Sequence, residues 1–459
     1  MHHRGLVAGA HAGWRTAITS SLFGKLLHGC PPGVLAACAL PAILLASGCS
    51  KNSTTGPATG AGAIITVTGR VLGQNGQTVA GIPVSIRGIP STNTDASGSF
   101  SIAGVATPYD ITVVNPTQNS ALIYKGLTRS DPVLIYAGTS PGTKYTGSVT
   151  GKVTGGTFPS PGPRDVTRVV WCSPEITQGT NAATDGTFGF SPDWYGPSTT
   201  TGGIYALQFT ADAAGFPVAG GYRGYGVKTA LALASGSALS NQSDSLLPVT
   251  TTRLTAAVTV PAGYTLVRKE LYLQFSSTGS LQIVSDTTRN TAPSYYTPQV
   301  TGGTISLGVV IAGTSGSESL TWKNGSAAGA AGVPLAPVVP PEQSLPLSGV
   351  TGVDTNVTFS WTAMPGAVHV IQFVAVNQAN PSFAIITAGT SATIPNLKSL
   401  GLALPASASY QWDVFGFGPL SGTDAAAGSI AWVTGSSIPG PASVSYYGGT
   451  PFRTFTTAP

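Results

Sequence analysis

Charge is what this sequence has least of. Asp, Glu, Lys and Arg make up 8% of its 459 residues, against about 25% in ordinary globular chains. Disorder does not follow, because disordered chains combine few apolar residues with high net charge, and this one is 42% hydrophobic. Basic residues form no run. A nucleic-acid partner needs a clustered basic stripe, so none is expected. The formal charge of +5 is also lopsided: residues 1–49 hold Arg4, Arg15 and Lys25 and no acid, which leaves 18 basic against 16 acidic residues, or +2, beyond them.

Histidine and cysteine are nearly absent past residue 49. Of five histidines, His2, His3, His11 and His28 precede that point, and His369 lies in an alternating, strand-like stretch. A nucleophile–His site would have to be built on His369; a core or strand-surface role is the simpler reading. The cysteines are Cys30, Cys38, Cys49 and Cys172. Cys172 alone lies beyond 49, too few for a disulfide or a cysteine-held metal. It follows Trp171 in a strand-like stretch and reads as a small buried apolar residue. Carboxylates for glycoside hydrolysis must flank one bond, and Glu175, Asp165, Asp185 and Asp193 are the set to test. Most Asp residues stand beside Gly, Ser, Thr or Pro, where turn formation accounts for them. No calcium-loop pattern occurs, and the glycine-rich stretches lack the strand–loop–helix setting of a phosphate loop. The expectation is a protein with no catalytic residues, no metal and no cofactor.

What the chain does have is Gly (60) and Pro (35), set between short runs rich in Val, Ile and Thr. That pattern predicts short strands joined by turns: an all-β protein of tandem β-sandwich domains, with almost no helix outside an N-terminal signal. The length suits about three or four domains.

Positions 33–48, GVLAACALPAILLASG, are apolar and uncharged but shorter than the ~20 residues of a membrane-spanning helix. Basic residues precede them and small residues end them, as in an export signal. The 32-residue lead before this run is long for such a signal. Ala46-Ser47-Gly48-Cys49 resembles the lipobox of bacterial lipoproteins, with Ala46 where Leu is usual. The resemblance implies a lipid anchor on Cys49, the new N-terminus after removal of 1–48. Residues 49–62 then read as a flexible Ser/Thr/Gly tether. Ser50 in place of Asp resembles lipoproteins sent to the outer membrane, so the partner implied is a membrane, and the location a bacterial envelope.

Two stretches repeat: TVTGRV at 66–71 with SVTGKV at 148–153, and TDASGSF at 94–100 with TDGTFGF at 184–190. Offsets of 82 to 90 residues mean tandem domains. In the first copy Ile82, Val84 and Ile86 alternate with other residues, as in a half-buried strand. The order V-x-G-x-V, G-x-P-V-x-I, T-D-x-x-G-x-F resembles the carboxypeptidase regulatory-like domain. That resemblance implies a prealbumin-like sandwich, grouped with carbohydrate-binding-like folds, which brings no zinc and no peptidase chemistry. It covers about 61–136 well and 145–250 loosely, which places the first two domains at 63–140 and 141–250; in the second, Pro159, Pro161 and Pro163 crowd the loop before Val169-Val170-Trp171.

Residues 251–332 alternate in several runs and predict a third sandwich of the same general type. Residues 333–346, VPLAPVVPPEQSLP, read as a semi-rigid Pro-rich linker. Residues 347–459, with Phe359-Ser360-Trp361, Val368 to Phe373 and Tyr410-Gln411-Trp412, resemble a fibronectin type III or other immunoglobulin-like sandwich, and 421–450 looks like an insertion before the last strand. Aromatics are the one group suggesting a ligand. Trp171, Trp194, Tyr195, Tyr222 and Tyr225 lie in or near Gly/Pro-rich stretches of the second domain, and exposed rings suit sugars. Tyr205, Tyr295-Tyr296 and Tyr446-Tyr447 join them as loop aromatics. The leading expectation is a non-catalytic envelope lipoprotein displaying β-domains for structural or protein-binding roles. The alternative is a carbohydrate-binding accessory protein, with an envelope polysaccharide in place of an envelope protein as partner.

Overall fold

The computed structural model describes residues 62–73, 76–136, 143–156, 165–275, 279–429 and 443–459. Cys49, the signal and nearly all of the tether lie outside the described residues. Within them the regular structure is almost all strand; the helices are the four-residue Thr423–Ala426 and a 3-10 turn at Lys398–Leu400. No helix among the described residues is long and apolar enough to cross a membrane.

The first unit runs through β1 (Ile64–Leu72), β2 (Pro83–Ile86), β3 (Thr92–Asn93), β4 (Ser99–Ala106), β5 (Tyr109–Asn115), β6 (Ser120–Leu127) and β7 (Val133–Ile135). Its layers are β4-β1-β7 and β3-β2-β5-β6. The second runs through β8 (Lys144–Thr146), β9 (Ser148–Thr154), β10 (Asp165–Cys172), β11 (Thr177–Asn181), β12 (Thr187–Phe190), β13 (Asp193–Tyr195), β14 (Thr199–Ala211), β15 (Pro217–Ala234), β16 (Ala238–Ser245) and β17 (Leu247–Pro248). Its layers are β12-β9-β16 and β11-β10-β14-β15-β17. The third runs through β18 (Thr250–Val258), β19 (Tyr264–Gln274), β20 (Ser280–Asp286), β21 (Ser294–Gln299), β22 (Thr304–Gly313), β23 (Glu318–Ser326) and β24 (Val333–Leu335), layered as β21-β18-β24 and β20-β19-β22-β23.

These three units share one topology. Each opening strand (β1, β9, β18) lies between an antiparallel partner (β4, β12, β21) and a parallel closing strand (β7, β16, β24). Their bulges agree as well. In β6, β15 and β23 two residues oppose one on the neighbouring strand, at 125–126, 229–230 and 324–325. The second of each pair, Gly126, Ala230 and Gly325, has positive φ, the left-handed turn of a bulge. The repeated sequence motif is explained by register. Gly69 sits opposite Phe100 and Gly151 opposite Phe188. A Cβ on either glycine would fall 2.4 Å or 2.7 Å from that ring, so glycine makes room for Phe to lie across the strand. Phe188, not Phe190, is thus the counterpart of Phe100: the two turns, closed by Gly98 N–H on Asp95 O and by Gly186 N–H on Ala183 O, have equal length, and the Thr-Asp pair stands two positions later in the second.

The fourth unit runs through β25 (Gln343–Leu345), β26 (Val350–Val353), β27 (Thr358–Trp361), β28 (Val368–Ala375), β29 (Ser382–Thr387), β30 (Ser391–Thr393), β31 (Ser409–Gly418), β32 (Val444–Gly449) and β33 (Arg453–Thr457). One layer is β25-β27-β30; the other, β32-β31-β28-β29 with β33 and β26, belongs to a 14-stranded sheet. That sheet continues through β23 into the third unit and through β6 into the first.

The structure corrects three readings of the sequence. Residues 333–346 are no free linker. Val333 and Leu335 are buried in β24. The Ser319 hydroxyl donates to Val338 O, and Val338 N–H donates to Thr321 Oγ1 at 3.0 Å. Arg453 donates to the carbonyls of Gln343, Ser344 and Pro346 while its guanidinium lies 6.0 Å over the Trp412 ring. Proline stiffness left this segment extended, and extended backbone could add to the sheets on either side. Residues 444–449, expected within an insertion, form β32 between β23 and β31. Tyr295-Tyr296 and Tyr446-Tyr447 accordingly lie in strands, not loops.

Candidate functional site

The five aromatics singled out as sugar contacts do not form a surface. Trp171 and Trp194 are 0% and 1% exposed, and Tyr222 and Tyr225 are 6% and 8%; only Tyr195 is half-exposed. Trp171 packs with Val149, Ile204 and Leu233 inside the second unit. Trp194 sits 6.1 Å from the Tyr145 ring and donates its indole N–H to Pro197 O at 2.8 Å. Tyr225 and Tyr205, both stacked on Phe275 at 5.9 and 4.9 Å, join the second unit to the core of the third. Their glycine-rich surroundings suggested loops, but β14 and β15 are long strands. A Cβ on Gly226 would fall 2.6 Å from the Asp244 carboxylate and one on Gly202 2.4 Å from Cys172 O. Glycine here lets neighbouring chains close in.

The four candidate acids do not converge either. Asp165 meets Thr210 and Arg223, and Asp193 meets Lys144. Asp185 caps a turn through Thr187, and Glu175 takes the Thr200 hydroxyl. The turn reading of Asp holds widely: Asp95, Asp212 and Asp354 each accept backbone N–H bonds within four residues. Among the described residues no three His, Cys, Asp or Glu side chains come together as metal ligands. His369 is buried; its Nε2 accepts Met364 N–H at 3.0 Å, and its ring meets Trp361 edge-on. Burial lowers its pKa to about 4, so it stays neutral at physiological pH. Cys172 is likewise buried, and burial pushes its thiol up to about 12. At pH 8 its thiolate fraction is then roughly 10³-fold below that of a free cysteine. Ellman's reagent is expected to leave Cys172 untouched in the native protein and to titrate it fully in guanidinium. Fast native labelling would show that β10 opens.

The feature that gathers the most long-range chemistry is the seam between β6 and β29. The two strands pair in parallel, Ser120 with Ser382 through Tyr124 with Ile386. Alternation sends the side chains of β6 into two cores at once. Leu122 and Tyr124 join Val370, Ala384 and Ile386 in one; Ala121 and Ile123 join Phe383 and Ile385 in the other. Polar locks flank the strands. Asp424 accepts Thr128 N–H at 2.9 Å and the Thr128 hydroxyl, and Arg129 donates to Asp424 O at 2.7 Å. Asn119 donates to Ala379 O at 2.8 Å, and Val133 N–H to Ala427 O. A cleft of about 630 Å³ opens beside the seam, lined by Asp110, Lys125, Thr387, Ser421, Thr423 and Asp424. It is polar and carries no aromatic floor, no histidine and no thiol. Both of its acids are occupied in holding backbone, Asp110 by Gly126 N–H at 2.8 Å. Chemically, this region is equipped to hold two parts of the chain together.

One strained group lies on the same sheet. Asp413 and Gln372 face each other across β31 and β28. Both are buried, and Asp413 Oδ1 and both amide atoms of Gln372 have no hydrogen-bond partner. Burial raises the Asp413 pKa well above the usual carboxylate range. Folding therefore takes up a proton that the unfolded chain releases above about pH 4. Stability is full below that pH and falls as pH rises toward the folded value. Asp413→Asn is expected to raise stability at pH 7, by at most about 4 kcal/mol, the cost of holding an ordinary carboxyl protonated there. The gain should vanish near pH 4. Urea titrations at the two pH values measure it, and an equal change at both would refute the account.

No protein-family model matches the chain, and no curated protein matches it. Solved structures give distant likenesses. The Bacillus anthracis TIE protein is 10% identical over 60% of this chain and 51% of its own, TM-score 0.14; this chain thus spans about half of that protein. The shaft pilin SpaA from Lactobacillus rhamnosus GG is 9% identical over 41% of this chain and 100% of its own, TM-score 0.14. A Bacteroides thetaiotaomicron protein described as polysaccharide-binding is 11% identical over 38% and 78%, TM-score 0.16. Superpositions this loose carry no argument about ligand or partner. The chain itself is an all-β protein of packed sandwich layers.

Proposed function

We propose that this protein is a non-catalytic envelope lipoprotein, anchored through Cys49, that presents its β-sandwich units as one joined scaffold for structural or protein-binding roles. The domain division goes with the proposal: signal 1–48, tether 49–62, sandwiches at 63–140, 141–250 and 251–332, a docked connector at 333–346, and an immunoglobulin-like unit at 347–459. The observation that carries the scaffold reading is the β6–β29 pairing. It ties the first unit to the fourth, while β23–β32 ties the third to the fourth. Edges are managed accordingly. The outer edges of β6 and β23 before their bulges are covered by β29 and β32, and that of β15 by β17 at Gly224 and Tyr225. Covered edges suppress indiscriminate strand pairing, as a protein displayed at a surface requires. The anchor reading rests on the sequence around Cys49 alone.

Two measurements test the two halves. Cys49→Ala is expected to move the protein from the membrane fraction to the soluble fraction and to remove the acyl mass; an unmodified Cys49 in wild type ends the lipoprotein reading. Small-angle scattering is expected to show one rigid particle for wild type, and a larger radius of gyration for Ile123→Lys, which places a charge in the seam. Asp424→Ala, which spares both cores, should give a smaller increase of the same kind. Flexible-chain scattering from wild type would refute the joined scaffold.

A further inference from the structure

The first unit has an unusual set of partners. Among the described residues none of its strands pairs with the second or third unit, although the chain passes directly from it into the second at Lys144. Its strand partner is β29, more than 250 residues further on. The docking surface is specific, because both faces of β6 are buried, each in a different core shared with the fourth unit. It is also registered by polar locks at both ends, Asn119 on Ala379 and Thr128 on Asp424. Detached, the two surfaces would expose complementary apolar rows beside open strand edges, the costly state. A contact of this kind is a two-body interface kept within one chain by its high effective concentration.

We infer that the first unit can dock on the fourth unit of a second copy of this chain, giving a reciprocally exchanged dimer. Every seam contact of the monomer is then regained twice, once in each direction, and a two-fold arrangement closes without leaving an edge open. The second copy is the occupant the structure supports, since it presents the same β29 edge, the same Val370–Ala384–Ile386 row and the same Asp424 lock. This goes beyond the scaffold proposal, and it does not depend on the lipid anchor.

Chains with one introduced thiol test it. Ser120 and Ser382 are register partners, and neighbouring strands place their Cα atoms about 4.8 Å apart, within disulfide range. One full chain carries Ser120→Cys, the other Ser382→Cys. They are mixed, unfolded and refolded together under reducing conditions, then oxidised in the folded state, where Cys172 is shielded. Mass spectrometry reads the linked peptide joining the thiols introduced at positions 120 and 382, which singly substituted chains can form only across copies. The expected result is that this peptide appears after co-refolding, is absent from chains mixed without unfolding, and gains about tenfold over monomer when the refolding concentration rises tenfold, by mass action. A double Ser120→Cys, Ser382→Cys chain refolded dilute should give the same peptide within one chain. If the double chain bridges and the mixed chains do not, docking is strictly intramolecular and the inference fails. If the double chain does not bridge either, the seam register is wrong and the inference falls with it.

Discussion

Lys269→Ala is expected to destabilise the third unit by about 3–5 kcal/mol, the usual cost of removing one partner of a buried ion pair. Lys269 lies in β19 with its side chain fully shielded, and its Nζ is 3.2 Å from Asp286 Oδ2. It also donates to Thr288 O and to Thr288 Oγ1 at 3.3 Å. Asp286 is held from other sides by the Tyr295 hydroxyl and by Thr288 N–H at 2.7 Å. Alone, the partial burial of Asp286 would raise its pKa, but hydrogen bonds from Tyr295, Thr288 and Lys269 outweigh that and lower it. The pair therefore contributes stability above the ordinary carboxylate pKa of about 3.9 and loses it as pH falls through the lower folded value. Removing the ammonium leaves a shielded carboxylate short of a donor, so the deficit of Lys269→Ala should shrink in acid. Lys269→Met with Asp286→Asn, which keeps the volume and removes both charges, should recover most of the loss, because well-packed neutral replacements of buried pairs are often near neutral. Denaturant titrations of the two variants decide the matter. A single variant within 1 kcal/mol of wild type would mean that the pair contributes almost nothing.

Trp171→Ala is expected to cost about 3–5 kcal/mol and to lower the melting temperature of the second unit by roughly 10 °C or more. Trp171 lies at the centre of that unit's core, across from Phe188, Trp194 and Leu246, and its ring fills the space over Gly202. The small-residue neighbour cannot collapse into the void, which places this site toward the upper part of the range. The same substitution was the natural probe for a sugar-binding surface, and the outcomes separate. A packing residue loses near-UV dichroism and stability together. A surface contact would lose glycan binding with the fold intact. Retained stability with lost binding would overturn the packing role of Trp171.

Much of the local structure was legible from residues alone. Period-2 alternation at Ile82, Val84 and Ile86 marks β2, whose Val84 and Ile86 face the core. Asp95 and Asp185 bond the amides of their own turns as their Gly and Ser neighbours suggest. His369 and Cys172 read as buried bystanders because nothing chemical accompanies them, and both are buried. The aromatics misled for a definite reason. Glycines at 202, 203, 224 and 226 look like loop formers in sequence, whereas in β14 and β15 they admit close neighbours. A glycine's reason for being glycine is a property of what lies opposite, and that is not local.

Residues a few places apart suffice for the class of the fold, its turns, the repeated stretches of the first two units and the scarcity of histidine and cysteine past Cys49. Long-range packing was needed to show which units are copies of one topology, that the prolines of 333–346 are clamped, and that β6 closes the sheet of a unit more than 250 residues away. Alternation tells a strand which side chains share a face. It does not tell that strand whose core the face will enter, because backbone hydrogen bonds are the same for every partner and the choice rests on long-range fit of edges and apolar rows.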